Sequence, residues 1–545
     1  MYVDFSILGT SSVPLELVRS YNSITAASEP TGWLGAFGWG WTTPFETTLT
    51  TTPERNVILR DGGSGNTILF KPEKEDPKAT AEFFENLKFA YFERKNGRTY
   101  TNAELAKEKF PDTMLSQLKN DPIYRAEIAE KYGVKSVPSG DIMISSEYGY
   151  QTMQFKNNQW IREKDGITQV FDAQGRLTRQ KDKNGSVFEF KYSPSQNGQL
   201  IEISDPNRSV SLKFTWTGDR VTEVRDNRNQ VARYQYDGFN NLIASTDSSN
   251  TTYLYKYENK KFPHLLTKIH YQNESGPKAQ IYREVGYDDS GLVNYHRDKD
   301  GSTITFIYGK NQSDPENNFW TKSVVKRATQ TEEQYDEFFI KARPDGSKYL
   351  YKNENRANGN TTITVYTACC GKPQQIVKNG ETTQFKYYPN GLLQERVSPT
   401  EDSKFEYESR WKKISKVKQN GVFSNYEYDS RGNLVRATNS KNEKLSLKYD
   451  KSGRILEMLD KEGKHISFQY NKFGKPTLVT EKGVGTIKID YDQNGKITKT
   501  STLAIKNTGM RTPSDAQSQE VIRRVMKGFQ NLLDIIRPAG SVMAN

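Results

Sequence analysis

The phrase Tyr428-Asp429-Ser430-Arg431-Gly432 recurs 21 residues later as Tyr449-Asp450-Lys451-Ser452-Gly453. Tyrosines continue at the same step on both sides, at Tyr407, Tyr470 and Tyr491. A fixed step near 20 residues is too short for a pair of helices and suits two short strands joined by two turns. The residues expected to build the tyrosine-side turns are Tyr428, Asp429, Gly432, Tyr449, Asp450, Gly453, Tyr491, Asp492 and Gly495.

Apolar residues alternate with polar ones before each tyrosine. Leu445, Leu447 and Tyr449 form one such trio, and period-2 alternation places a trio on one face of a sheet. The aspartate can hydrogen-bond the backbone of its own turn, and the glycine three residues later supplies a positive φ. Each unit is therefore predicted to be strand, Asp/Gly turn, strand, Gly turn. Equivalent trios are Ile466, Phe468 and Tyr470, and Ile487, Ile489 and Tyr491.

This pattern resembles the YD repeat of the RHS (rearrangement hotspot) family, which is related to the teneurin and Tc-toxin C-component shells. The resemblance covers roughly residues 11–75 and 141–503. It implies a mainly β fold in which a spiralling antiparallel YD-repeat sheet forms a hollow shell. It also implies a bacterial protein that is secreted or lies at the cell surface.

Four regions are expected along the chain. Residues 1–75, with the run Gly38-Trp39-Gly40-Trp41, resemble the RHS N-terminal β module, and their tryptophans are interpreted as core rather than as a sugar platform. Residues 76–137 are predicted to be an insertion of three or four short helices, with a capping box at Thr101 and Glu104. Residues 138–505 are the repeat shell, with a longer loop between Lys310 and Gln334. Residues 506–545 are a linker and an amphipathic helix.

The composition excludes several classes of function. Lys and Arg exceed Asp and Glu by 12, but the basic residues are spread along the chain, so no nucleic-acid-binding face is expected. A mean hydropathy of −0.83 together with 31 Tyr and 26 Phe fits a thin sheet with wide solvent contact. No run of apolar residues is long enough for a transmembrane helix, and no signal peptide is visible at Met1.

Cys369 and Cys370 are the two cysteines, and they are adjacent in the sequence. In an oxidising compartment they can form a strained vicinal disulfide; otherwise they are two packed or idle thiols. No Cys/His cluster accompanies them, so neither a metal site nor a cofactor is expected.

The C-terminal helix is expected to bury an apolar stripe. Its members include Val521, Val525, Phe529, Leu532 and Ile536. The stripe packs in the mouth or lumen of the shell, or it packs against a partner. The motif that precedes the toxin in toxin-bearing relatives is not found after Tyr491, so neither self-cleavage nor a toxin in the same chain is expected.

The predicted function is non-enzymatic. The chain has four His, none in a Ser/His/Asp, Cys/His or HExxH context, and the aspartates recur at a structural step. The first hypothesis is a scaffold, container or adhesin, with surface glycans as candidate ligands. The alternative is an encapsulating component of a toxin-delivery system that encloses a separately encoded effector. A weaker third hypothesis is an enzyme that acts on polysaccharide.

Overall fold

The protein is mainly β, with 56% of residues in strands and 10% in helices, as the sequence predicts. The computed structural model describes residues 2–503, apart from residues 8–13, 28–32, 53–55, 73–76, 121, 135–139, 146–147, 183–185, 195–197, 207–208, 273–279, 343–347, 369–370, 461–462, 472–474, 484 and 492–496.

The chain begins with short strands that stand apart from the main sheet. Strands β1, β2 and β5 form a three-stranded sheet, and β3 pairs with β4. We call the segment from β1 to the short helix η1 the N-terminal module. Its elements are β1 (Tyr2–Ile7), β2 (Leu15–Tyr21), α1 (Ser23–Ala27), β3 (Leu34–Gly35), β4 (Gly38–Trp39), β5 (Trp41–Thr42) and the 3-10 helix η1 (Pro44–Glu46).

Four helices lie within the stretch where the sequence predicts a helical insertion. The first has 20 residues and is longer than expected. The predicted capping box at Thr101 and Glu104 is confirmed, because each residue's side chain accepts a hydrogen bond from the other's backbone amide. The helices have a hydrophobic core of their own, which includes Phe83, Leu87 and Leu118. They are α2 (Pro77–Asn96), α3 (Asn102–Leu105), α4 (Asp112–Asn120) and α5 (Pro122–Tyr132).

The main sheet is a ladder of 36 strands, in which each strand from β6 to β41 pairs antiparallel with the next. The long antiparallel sheet is confirmed, while its closure into a hollow shell stays a prediction. The strands are β6 (Thr48–Thr51), β7 (Val57–Arg60), β8 (Thr67–Pro72), β9 (Met143–Ser145), β10 (Gln151–Lys156), β11 (Gln159–Lys164), β12 (Ile167–Phe171), β13 (Leu177–Lys181), β14 (Val187–Tyr192), β15 (Leu200–Ser204), β16 (Ser211–Thr217), β17 (Arg220–Asp226), β18 (Val231–Tyr236), β19 (Leu242–Thr246), β20 (Thr252–Lys256), β21 (Lys268–Gln272), β22 (Gln280–Tyr287), β23 (Val293–Asp298), β24 (Thr303–Lys310), β25 (Asn318–Lys326), β26 (Thr331–Ala342), β27 (Lys348–Ala357), β28 (Asn360–Tyr366), β29 (Pro373–Lys378), β30 (Glu381–Tyr387), β31 (Leu393–Ser398), β32 (Glu401–Tyr407), β33 (Ile414–Gln419), β34 (Val422–Tyr428), β35 (Leu434–Asn439), β36 (Lys444–Tyr449), β37 (Ile455–Leu459), β38 (His465–Tyr470), β39 (Pro476–Glu481), β40 (Gly485–Tyr491) and β41 (Ile497–Leu503).

The start of the ladder bonds to a later part of the same sheet. The amide of Leu49 on β6 donates to the carbonyl of Gly175 at 3.0 Å, in the turn between β12 and β13. Gly175 has φ +81, and a Cβ there would lie 2.2 Å from the carbonyl oxygen of Leu49. Only glycine fits this approach without a backbone shift. The strands β6 to β12 therefore form one winding of the sheet, and this hydrogen bond joins its two ends.

The loop predicted between Lys310 and Gln334 is much shorter in the structure. Two short connections, residues 311–317 and 327–330, lie there, because Asn318–Lys326 forms β25. β25 pairs along its full length with β24 and β26, which have 8 and 12 residues. Long neighbouring strands stabilise this segment although it carries no Tyr-Asp phrase.

The predicted apolar trios share one face of the sheet. Leu445, Leu447 and Tyr449 belong to a single cluster with the equivalent residues of the neighbouring units. The opposite face carries cross-strand ion pairs, such as Lys448 with Glu457 at 2.8 Å. The period-2 prediction for these strands is therefore confirmed.

The N-terminal module packs on the repeat strands through a buried ion pair. Nε and Nη2 of Arg19 donate to the two carboxylate oxygens of Asp4 at 2.5 and 2.9 Å. Nη2 also donates to Oγ of Ser245 on β19 at 3.0 Å, and the hydroxyl of Tyr234 on β18 donates to Asp4 at 2.9 Å. The Arg19 side chain is fully buried, with its guanidinium carbon 5.0 Å from the ring centroid of Trp41. This arrangement connects the first strands of the chain to strands more than 200 residues later, and we call the contact between them the joint.

Replacing Arg19 by methionine is expected to destabilise the joint by about 3–5 kcal/mol, because it leaves the Asp4 carboxylate buried without a cation. Hydrogen exchange of residues 14–27 measures the loss of protection. The matched control is Arg233→Met on β18, whose side chain is 63% exposed in its pair with Glu223. Unchanged protection in Arg19→Met would contradict the assignment of the joint to this ion pair.

Candidate functional site

The repeat turns place the predicted aspartates in a fixed network of hydrogen bonds. One carboxylate oxygen of Asp450 accepts from the amides of Ser452 at 2.8 Å and Arg454 at 2.9 Å. Gly453 has φ +73, and its amide donates to the Asp450 carbonyl at 3.1 Å. The turn at Asp429 and Gly432 repeats this geometry, with the amides of Arg431 and Asn433 as donors. Each carboxylate therefore accepts hydrogen bonds from the backbone amides of its own turn.

The protonation state of Asp450 follows from the same contacts. Partial burial alone would raise its pKa, but the hydrogen bonds from the Arg454 backbone and side chain outweigh burial and lower the pKa below the usual range. The guanidinium Nε of Arg454 lies 2.5 Å from the second carboxylate oxygen. An ionised, fully engaged carboxylate is suited to holding a turn and not to donating a proton at neutral pH.

Each repeat tyrosine bridges neighbouring units along the same rim of the sheet. The hydroxyl of Tyr449, at the end of β36, donates at 2.7 Å to the carbonyl of Leu434, at the start of β35. A β-bulge between Lys448 and Tyr449 turns the ring toward that carbonyl. Burial raises the pKa of Tyr449 to about 12, so the hydroxyl remains a donor at neutral pH. The same bond, at 2.6–2.9 Å, is made by Tyr192, Tyr236, Tyr287, Tyr308, Tyr387, Tyr407, Tyr428, Tyr470 and Tyr491.

Several predicted site residues lie outside the described residues. These are the two cysteines, part of the last Tyr-Asp turn and the apolar stripe of the C-terminal helix. They are Cys369, Cys370, Asp492, Gly495, Val521, Val525, Phe529, Leu532 and Ile536.

A cavity of about 530 Å³ lies between the N-terminal module and strands β13 to β17. The module contributes Trp33, Phe45 and Glu46, and the repeat strands contribute aromatic, aliphatic and arginine side chains. Its size falls in the range typical of small-molecule sites. The repeat-strand side of the cavity includes Arg176, Tyr192, Gln199, Leu200, Phe214, Trp216, Arg220 and Val221. We call this space the joint cavity.

Glu46 lines the joint cavity and holds two segments of the N-terminal module by hydrogen bonds. Its two carboxyl oxygens accept from the amides of Ala36 at 2.6 Å and Thr43 at 3.1 Å. Burial raises the pKa of Glu46 to about 7, although these amides and the nearby Arg220 act in the opposite direction. Glu46 is therefore a carboxyl group that titrates near neutral pH inside a cavity.

The tryptophans of the N-terminal module have three different environments. Trp41 is fully buried, which agrees with the interpretation of this cluster as core. Trp39 stacks on the ring of His264 with centroids 4.5 Å apart. Trp33 lines the joint cavity and lies under the guanidinium of Arg60 at 4.8 Å. The sequence predicted no cavity here, because its two walls lie more than a hundred residues apart in the chain.

Metal and membrane sites were also sought in the part of the chain that the structure describes. No group of three or more His, Cys, Asp or Glu residues there is arranged to hold a metal ion. None of the described helices has the length and apolar character needed to cross a membrane.

Three protein-family models match parts of the chain. A domain of unknown function (DUF6531) matches residues 1–70, the RHS repeat matches residues 216–252, and the teneurin YD-shell matches residues 347–499. Teneurin-m of Drosophila melanogaster is 25% identical in an alignment 161 residues long, and the match covers 22% of this chain and 6% of that protein.

Solved structures of Tc-toxin assemblies are also similar. The TcdB2-TccC3-TEV structure aligns over 68% of this chain with 12% identity and a TM-score of 0.41. TcdB2-TccC3 without its hypervariable C-terminal region aligns over 88% with 12% identity and a TM-score of 0.39. The alignments cover about a quarter of those chains, 24% and 25%.

Replacing Tyr449 by phenylalanine is expected to lower stability by about 1 kcal/mol, because the Leu434 carbonyl loses a donor in a half-buried position. Chemical denaturation measures the change. Tyr148→Phe, at a tyrosine that is 60% exposed, is the control and should be neutral. If the two substitutions had equal effects on stability, the Tyr449 hydroxyl would not stabilise the protein as expected.

Glu46→Gln is expected to change the pH dependence of stability. Because the folded pKa is raised from 4.5 to about 7, the wild type loses stability as pH rises from 4.5 to 7. Glutamine cannot titrate, so the melting temperature of the variant relative to wild type should increase across this window. Glu427→Gln, at a side chain that is 58% exposed, is the control. A constant difference between Glu46→Gln and wild type from pH 4.5 to 7 would contradict the raised pKa.

Proposed function

Since the chain is an RHS/YD-repeat protein, we propose that it acts without catalysis as the wall of a protein container or scaffold. We place it at the bacterial surface or in the secreted space. The observation that carries this proposal is a long part of the sheet that has no second layer.

The nine strands from β23 to β31 form this part of the sheet. Between Ile269 and Phe405, none of the described hydrophobic residues is buried. In the 12-residue strand β26 every residue is exposed or half-buried. A globular domain buries one face of each sheet against another layer. A sheet that buries no described hydrophobic residue on either face over nine strands is suited to separating two spaces.

The N-terminal module gives the wall a fixed beginning. It covers strands near β16 to β22 with a continuous hydrophobic core, which includes Phe37, Trp41 and Tyr255. The turn closed by Leu49 and Gly175 lies beside it in the chain. One end of the sheet is therefore packed and closed, which supports a container more than an open adhesive sheet.

The second candidate is an encapsulating component that encloses a separately encoded effector. It is favoured by an uncovered aromatic patch on the face that carries the repeat tyrosines. Phe319 is 42% exposed and stacks on Phe338 with centroids 5.1 Å apart, and Tyr308 on the same face is 37% exposed. Exposed aromatic residues on the inner side of a wall would contact an enclosed polypeptide.

Small-angle X-ray scattering of the full chain tests the container proposal. A compact globule of 545 residues has a radius of gyration of about 24 Å. A hollow wall places mass away from the centre, so a clearly larger radius and a pair-distance maximum shifted to long distances are expected. A radius near the compact value, with a monomeric mass, would contradict the proposal.

A further inference from the structure

The joint cavity has an aromatic, largely apolar wall although several of its aromatic residues carry polar atoms. The hydroxyl of Tyr192 donates to the carbonyl of Leu177 at 2.8 Å. The indole Nε1 of Trp216 donates to the carbonyl of Leu200 at 2.8 Å. Because both polar atoms bond to the backbone, the surface that these two side chains present to the cavity is that of their aromatic rings. Phe45, Phe214 and Leu200 complete the apolar surface.

Two guanidinium groups line the same space and differ in their partners. Arg176 forms an ion pair with Asp172 at 2.7 Å and lies over the Tyr192 ring, 4.9 Å from its centroid. Nη1 of Arg220 donates to the carbonyls of Gly35 at 2.7 Å and Asp219 at 2.5 Å. No described carboxylate forms an ion pair with Arg220. Asp219, which also lines the cavity, and Glu46 attract the charge of Arg220 from beyond ion-pair distance. The Nε atom of Arg220 is buried without a hydrogen-bond partner among the described residues.

Glu46 attracts the charge of Arg220 but forms no ion pair with it. Both of its oxygens already accept backbone amides of the N-terminal module, and the group titrates near pH 7. Burial lowers the pKa of Arg220, which reflects the cost of holding its charge at this half-buried position. An anion bound beside Arg220 would recover part of that cost.

These features select one class of ligand. A sugar ring needs many hydrogen-bond partners, but the Tyr192 hydroxyl, the Trp216 indole N–H and both Glu46 oxygens are already engaged. Among the aromatic residues that line the cavity, Trp33 has a buried indole N–H without a partner. Apolar rings beside one guanidinium that has no ion-pair partner and an unbonded Nε fit a flat apolar body that carries a single carboxylate. We propose that the joint cavity between the N-terminal module and strands β13 to β17 binds a small aromatic carboxylate, with its ring among Phe45, Tyr192 and Trp216 and its carboxylate at Arg220.

This site does not depend on the container role, because it is formed by the joint alone. The test uses the full chain and 2-naphthoate as the probe, followed by saturation-transfer NMR and by titration calorimetry. Saturable binding of one 2-naphthoate per chain is expected. 2-Naphthalenemethanol, which has the same rings without the charge, should bind at least tenfold more weakly because it forms no ion pair.

Two variants locate the probe. Arg220→Gln is expected to weaken 2-naphthoate at least tenfold and to leave 2-naphthalenemethanol unchanged. Ala36→Phe fills the cavity from the module side and should abolish both. Arg233→Gln on β18 and Ala103→Phe on the exposed side of α3 are the matched controls and should bind as wild type does.

Three results would overturn the proposal. One is the absence of saturable 2-naphthoate binding up to millimolar concentration. Another is equal affinity for 2-naphthoate and 2-naphthalenemethanol, which would show that the site does not recognise the carboxylate charge. The third is binding of glucose or lactose in competition with the probe, which would make the cavity a sugar site. If Ala36→Phe fails to fold, the Arg220→Gln comparison decides alone.

Discussion

The hydrogen bond from each repeat tyrosine to the backbone of the preceding strand is the constraint on which the sheet depends. The hydroxyl of Tyr449 bonds to the carbonyl of Leu434 at a strand end that carries a β-bulge and is followed by an Asp/Gly turn. Ten tyrosines of the described chain repeat this bond. A half-buried hydroxyl needs a partner, so each unit fixes the register of the unit before it.

The protein stabilises its sheet differently along its length. At the beginning, the Arg19–Asp4 pair and the aromatic rings around it cover the repeat strands with a second layer. From β23 to β31 the ladder hydrogen bonds and the tyrosine bridges hold a single layer without a buried hydrophobic residue among those described. The joint cavity lies under the layered part, where the N-terminal module and the repeat strands meet without filling the space between them.

The sequence predicted the features that arise within one unit. The spacing of Tyr449, Asp450 and Gly453 determines the strands, the turn and the apolar face, because all of these form between close neighbours in the chain. The joint was not predicted, since Arg19 meets Ser245 across 226 residues and nothing local indicates that contact. The position of β25 was also missed, because that strand depends on the length of β24 and β26 and not on a turn phrase of its own.

The single-layer strands have a consequence for how such a protein can change in evolution. A strand pair between β23 and β31 contacts its neighbours in the ladder and carries no buried hydrophobic residue among those described. Duplication or loss of one hairpin there would leave no hole in a buried core. The sheet can therefore gain or lose whole hairpins in this part. The hydrogen bond between Leu49 and Gly175 keeps its first strands in place.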